Sequence, residues 1–176
     1  MSQLATTIGW ETTWRGVSST ASSSRVTGSK TPAGGPAIVV AGVALGSAGS
    51  VSDGTLTPEL IPPSDKDPNG VAYVRWTAAI VKSQARFEVT APSAGSYTLY
   101  VSFLKTPEAL PVAAFVNGMR AGKPFDPTGD TGVAKVSFGR VELRAGANEI
   151  ALEFAPAGAK ERSTISVAVL QILLEP

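Results

Sequence analysis

From Val71 onward the chain alternates apolar and polar positions in the two-residue rhythm of a half-buried β-strand. Val71, Tyr73 and Arg75 point one way, and Ala72, Val74 and Trp76 the other. In the next segment Ala85, Phe87 and Val89 face inward against Gln84, Arg86 and Glu88. After a turn at Pro92 to Gly95, the residues Tyr97, Leu99, Val101 and Phe103 form an apolar face opposite Thr98, Tyr100 and Ser102. Val112 to Val116 is a further apolar strand that enters Asn117-Gly118, the pair a type I′ hairpin turn selects because both central residues take positive φ. Val136, Phe138, Val141 and Leu143 follow. Ile150, Leu152 and Phe154 then alternate with Glu149 and Glu153, and Ile165 to Leu174 closes the chain as a last strand.

No helix-period stretch with caps competes with this pattern. The spacing of turn signals predicts an all-β chain of about eight to ten strands, an antiparallel β-sandwich. Upstream, Ala37 to Ala41 reads as a buried strand closed by a Gly/Ser turn over Gly46 to Gly54. Thr55 to Ile61 reads as a short edge strand, because Pro58 cannot donate to a ladder. Pro62 to Gly70 reads as a surface loop.

Residues 1–35 break the pattern and read as an extended arm, leaving 36–176 for the sandwich domain. Nine of the fourteen residues from Ser18 to Thr31 are Ser or Thr, a composition that buries little apolar surface. Leu4, Ile8, Trp10 and Trp14 are the apolar exceptions. They are candidates for docking, either along the edge of their own sandwich or on a neighbouring subunit. The first residues lack the basic and apolar regions of a secretory signal, so no export signal is expected there.

Composition narrows the chemistry. Fifteen Lys and Arg against fourteen Asp and Glu, spread along 176 residues, give a net charge of +1. That balance supplies neither the clustered basic charge of a nucleic-acid footprint nor a polybasic membrane anchor. No apolar run approaches the roughly 20 residues of a membrane span. The chain has no His and no Cys, which removes imidazole-based nucleophilic catalysis and His or thiolate metal sites. The remaining carboxylate pairs read as a wet sheet face (Glu149 and Glu153) and as turn residues (Asp126 and Asp130). The chain is therefore expected not to be an enzyme, and to need no cofactor.

Asp65-Lys66-Asp67-Pro68-Asn69-Gly70 begins like a calcium loop, with oxygen donors at Asp65, Asp67 and Asn69. Its twelfth position is Trp76 rather than Glu, so an ordinary Asx turn is the preferred account and a calcium site the alternative. Among aromatics, Trp76 is expected in the core, while Tyr73 and Tyr100 are expected on the surface, with Arg75 beside Tyr73.

Three phrases carry a family resemblance: Phe87 to Val101, Val116-Asn117-Gly118, and Leu143 to Leu152. In them the chain resembles carbohydrate-binding modules of families six and thirty-five, which share a galactose-binding-like jelly-roll sandwich. The resemblance implies that fold and a non-catalytic glycan-binding role. Tyr73, Arg75, Tyr100, Asp126 and Asp130 are the candidate glycan contacts. Where such modules carry a stacking aromatic after the Val-Asn-Gly strand, this chain reads Phe125 to Lys135 with small residues. Where they carry an Asn before the last strand, it reads Arg162-Ser163-Thr164.

Two functional expectations follow. In the first, the chain is a structural protein of a bacteriophage virion, a capsid cement or decoration protein on the virion surface. Its arm docks on neighbouring subunits, the capsid shell protein or further copies of itself, and surface glycans are a secondary partner. The absent export signal, the absent Cys, the arm and the altered sugar positions all fit. The alternative is an extracellular glycan-binding module associated with polysaccharide-degrading enzymes.

Overall fold

A computed structural model describes residues 35–63, 70–155 and 165–176. Among these it places eleven strands and one short helix: β1 (Ile38–Ala41), α1 (Gly42–Ala48), β2 (Gly49–Val51), β3 (Thr55–Ile61), β4 (Val71–Ala78), β5 (Gln84–Ala91), β6 (Gly95–Lys105), β7 (Val112–Val116), β8 (Met119–Phe125), β9 (Gly132–Leu143), β10 (Gly146–Phe154) and β11 (Ile165–Glu175). The arm, the calcium-like loop at Asp65, Asp67 and Asn69, and the segment 156–164 lie outside the described residues, and with them the docking candidates Leu4, Ile8, Trp10 and Trp14.

The strands form an antiparallel β-sandwich. One sheet runs β3-β4-β11-β6-β9, with β1 added on β11, and the other runs β2-β5-β10-β7-β8. The last strand organises the first sheet. It takes β4 along Ile165 to Val169 and β1 along Gln171 to Leu174, with β6 on its other side. A bulge between Val169 and Gln171 resets its phase, so Ile165, Val167 and Val169, then Ile172 and Leu174, all reach the core. The inward residues read from the alternation are buried there: Tyr97, Leu99, Val101 and Phe103 have no exposed surface. Trp76 is also in the core and stacks on Phe154, with ring centroids 4.0 Å apart.

β3 is an edge strand, as Pro58 requires. Asn117 and Gly118 take φ of 50° and 80° at the β7–β8 turn, the left-handed pair that the sequence selects.

Two expectations are corrected. The strand read as buried at Ala37 to Ala41 is β1, in which no residue is buried and Val39 is exposed. The Gly/Ser-rich segment after Ala41 is a helix and then a short strand, not simply a turn. No side chain caps the helix start. It forms because Leu45 is fully buried in the core and small residues let the backbone come close. A Cβ at Gly42 would lie 2.8 Å from the Tyr73 Cα, and one at Gly46 2.8 Å from the Pro58 ring. Tertiary packing outweighs a local pattern that carries no helix signal.

Candidate functional site

The outer face of the first sheet gathers three of the expected glycan contacts but presents none as an open platform. Tyr73 is buried, at 6% exposure, packed with Leu104 and Ala168 and flanked by Ile61 and Leu170. This corrects the expectation that it lies on the surface. Its hydroxyl donates to Glu59 and accepts from Arg75 Nη2 at 3.0 Å. Arg75 in turn grips Glu59 through Nε to Oε1 at 2.7 Å and Nη2 to Oε2 at 2.9 Å. Glu59 stands directly opposite Tyr73 in the β3–β4 register, a relationship that the alternation alone does not reveal.

The Arg75 guanidinium, seconded by the Tyr73 hydroxyl, holds the Glu59 carboxyl below its ordinary value of 4.5. Burial, then the hydrogen bond to Glu59, pushes the Tyr73 phenol above its ordinary value of 10.0. Arg75 is held firmly protonated by its bond to Glu59. The triad is a satisfied polar brace between an edge strand and its neighbour.

Tyr100 lies two strands away on the same face and is half-buried. The Lys135 ammonium sits 4.4 Å from its ring centroid, and Lys135 also pairs with Glu175 at 3.5 Å. That face of the ring is already taken by a cation. Asp126 and Asp130 lie elsewhere, in the loop between β8 and β9. Asp126 Oδ1 accepts from the Thr128 amide at 3.0 Å and from its hydroxyl at 2.6 Å, which is an Asx turn. Among the described residues no group of three acidic, His or Cys side chains is placed to hold a metal ion. No described helix is long and apolar enough to cross a membrane.

The outer face of the second sheet is different. A groove of about 310 Å³ opens there, at the size threshold of small-ligand sites. Ser50, Arg86, Glu88, Arg144 and Glu149 supply its polar groups. Glu88 and Glu149 stand directly opposite each other in the β5–β10 register. Facing like charges cost a few tenths of a kcal/mol or more, and among the described residues neither carboxylate has an ion-pair or side-chain hydrogen-bond partner. Arg86 is anchored by Nε and Nη2 to Gln84 Oε1 at 3.2 and 2.9 Å, and Gln84 donates to Glu153 at 2.7 Å. Arg144 donates through Nε to the Ala147 carbonyl at 3.2 Å.

Beside the groove lies Phe115. Its neighbours Ala114 and Val116 belong to the core, so its own ring points outward, half-buried, next to Ala151. The floor of the groove is fixed by Asn148. Its side chain is 2% exposed and makes four hydrogen bonds that tie the β7–β8 turn to the β9–β10 turn.

The sequence pattern names Arg86, Glu88 and Glu149 only as outward-facing. Phe115 sits in an unbroken apolar run, Val112 to Val116, where no alternation marks it as exposed. Register, which brings these residues together, is a tertiary property.

No family model matches the chain, and no curated protein matches it. Among solved structures, a family 35 carbohydrate-binding module from Clostridium thermocellum is similar at 17% identity and a TM-score of 0.53, covering 80% of this chain and 98% of that one. A family 35 module within a β-(1,4)-mannanase from Podospora anserina gives 17% identity and a TM-score of 0.54, over 80% of this chain and 28% of that one. A xanthan lyase from Paenibacillus gives 13% and 0.57, over 72% and 12%. The chain thus has the β-sandwich fold of carbohydrate-binding modules. The capsid-decoration reading draws no support from these likenesses.

Proposed function

We propose that this chain is a non-catalytic carbohydrate-binding module that takes a glycan on the outer face of its second sheet, acting outside the cell beside polysaccharide-degrading enzymes. The observation that carries the reading is the groove itself. It combines two anchored guanidiniums with two carboxylates that have no ion-pair or side-chain hydrogen-bond partner among the described residues, and the half-buried Phe115 lies on the neighbouring strand, opposite Ala151. A sugar presents apolar C–H faces and polar hydroxyl edges, so it needs a flat apolar surface beside fixed donors and acceptors. Glu88 and Glu149 would accept hydroxyl protons, and Arg86 and Arg144 would donate.

The fold shared with a family 35 carbohydrate-binding module supports the same role, and a chain without His offers no imidazole base for hydrolysis. We place the sugar here rather than at Tyr73, Arg75 and Tyr100 because those side chains are committed to one another or to Lys135. The test is a screen of the purified chain on a glycan array, followed by calorimetry on the best ligand. Phe115→Ala is expected to weaken binding by about 1 kcal/mol or more, roughly fivefold or more in Kd. Unchanged affinity in a folded Phe115→Ala protein would falsify the assignment.

A further inference from the structure

Two Asn-Gly pairs occur in the sequence, Asn69-Gly70 and Asn117-Gly118. A backbone amide attacks the preceding side-chain amide most readily at such a pair, because glycine has no Cβ to obstruct the approach. Asn69 lies outside the described residues. Asn117 stands half-buried at the β7–β8 turn, with Gly118 exposed at the tip and open space where its Cβ would be. Both polar atoms of the Asn117 side chain are held by β10. Oδ1 accepts from the Glu149 amide, and Nδ2 donates to Asn148 Oδ1.

We propose that Asn117 is a site of spontaneous deamidation that folding protects, and that the modification, once made, unlocks the turn beneath the groove. In the step, the deprotonated Gly118 nitrogen attacks Asn117 Cγ. A bond forms between them, the Cγ–Nδ2 bond breaks, and the nitrogen leaves as ammonia with protons from water. Water then opens the five-membered imide at either carbonyl, leaving aspartate or isoaspartate at position 117. One water is consumed, one ammonia is released, and nothing is oxidised or reduced.

Either product breaks the lock. Aspartate keeps the acceptor for the Glu149 amide but puts an unprotonated oxygen where Nδ2 stood, 2.9 Å from Asn148 Oδ1. Asn148 cannot turn its amide over to donate, because its own Nδ2 serves the carbonyls of Arg144 and Gly146 and its Oδ1 the Arg144 amide. Two acceptors then face each other, one of them on a residue only 2% exposed. Isoaspartate lengthens the backbone of a two-residue turn whose φ values of 50° and 80° suit the ordinary chain. Arg144, Ala147, Asn148 and Glu149 line the groove, so the change reaches it. The effect on affinity rests on the binding reading above; the effect on stability does not.

The test incubates the full chain at mildly alkaline pH, with and without urea, and follows position 117 by peptide mass spectrometry. In urea above the unfolding midpoint Asn117 should react about as fast as Asn69, the other pair in the same sample. Without urea it should react roughly tenfold or more slowly than that, since two hydrogen bonds must break first. Equal rates for folded and unfolded Asn117 overturn the protection. Asn117→Asp should lower the urea midpoint at unchanged slope and weaken the best glycan several-fold. Should that variant not fold, the deamidated natural chain, separated by ion exchange, undergoes the same two measurements. An unchanged midpoint overturns the inference whatever the chain binds. A lowered midpoint in a chain whose natural form binds no glycan supports it and overturns the binding reading alone.

Discussion

Asn117 Nδ2 donates to Asn148 Oδ1 at 2.9 Å, joining two turns that lie thirty-one residues apart in sequence. The Asn117 amide donates to the Glu149 carbonyl at 2.8 Å, and the Glu149 amide donates back to Asn117 Oδ1 at 3.0 Å. Asn148 completes its own set with the Arg144 amide and the carbonyls of Arg144 and Gly146. Both asparagines belong to the phrases that carry the family resemblance. Their shared task is to fix the turn from which Arg144, Ala147 and Glu149 reach the groove.

Asn148→Ala should therefore destabilise strongly. It leaves the Arg144 amide, the carbonyls of Arg144 and Gly146, and Asn117 Nδ2 without their Asn148 partners, at a cost of about 2–3 kcal/mol. Urea unfolding measures this as a lower midpoint at unchanged slope. A loss under about 0.5 kcal/mol would contradict the lock.

Two glycines with positive φ should behave unequally. At Gly54, with φ of 85°, a Cβ would lie 1.7 Å from the Thr77 carbonyl oxygen. At Gly118, with φ of 80°, it would meet nothing. Gly118→Ala carries only the left-handed cost, about 1 kcal/mol. Gly54→Ala adds a backbone clash and should cost about 3 kcal/mol or more, or prevent folding. Similar melting temperatures for the two variants would refute the difference.

The Glu59 brace predicts an acid-sensitive stability. The Glu59 pKa is lower in the folded protein than its ordinary 4.5, chiefly through Arg75. Its contribution is whole above that ordinary value and is lost as pH falls through the folded one. Unfolding midpoints measured between about pH 7 and about pH 3 should fall less steeply for Glu59→Gln than for the natural chain. Parallel curves would show that Arg75 does not favour the ionised carboxylate.

Much of the fold is legible in the sequence, and the reason is specific. Alternation places Phe87, Tyr97, Leu99, Ile150 and Leu152 in the core, and Asn117-Gly118 marks its hairpin. Pro58 marks an edge. The helix over Gly42 to Ala48 is not legible, because close packing through glycine leaves no periodic trace. The site is less legible still. Tyr73 looks exposed by parity, yet the outer face of its sheet carries a small apolar cluster of its own. Phe115 looks buried because its strand is apolar at every position. Glu88 and Glu149 meet only through register, sixty-one residues apart.

The central claim is that sugar sits on the second sheet, and nuclear magnetic resonance mapping tests it most directly. Titrating the best glycan ligand into the labelled chain should shift the resonances of Ser50, Arg86, Glu88, Phe115 and Glu149, leaving those of Tyr73, Arg75, Tyr100, Asp126 and Asp130 in place. Shifts confined to the latter group would contradict the account.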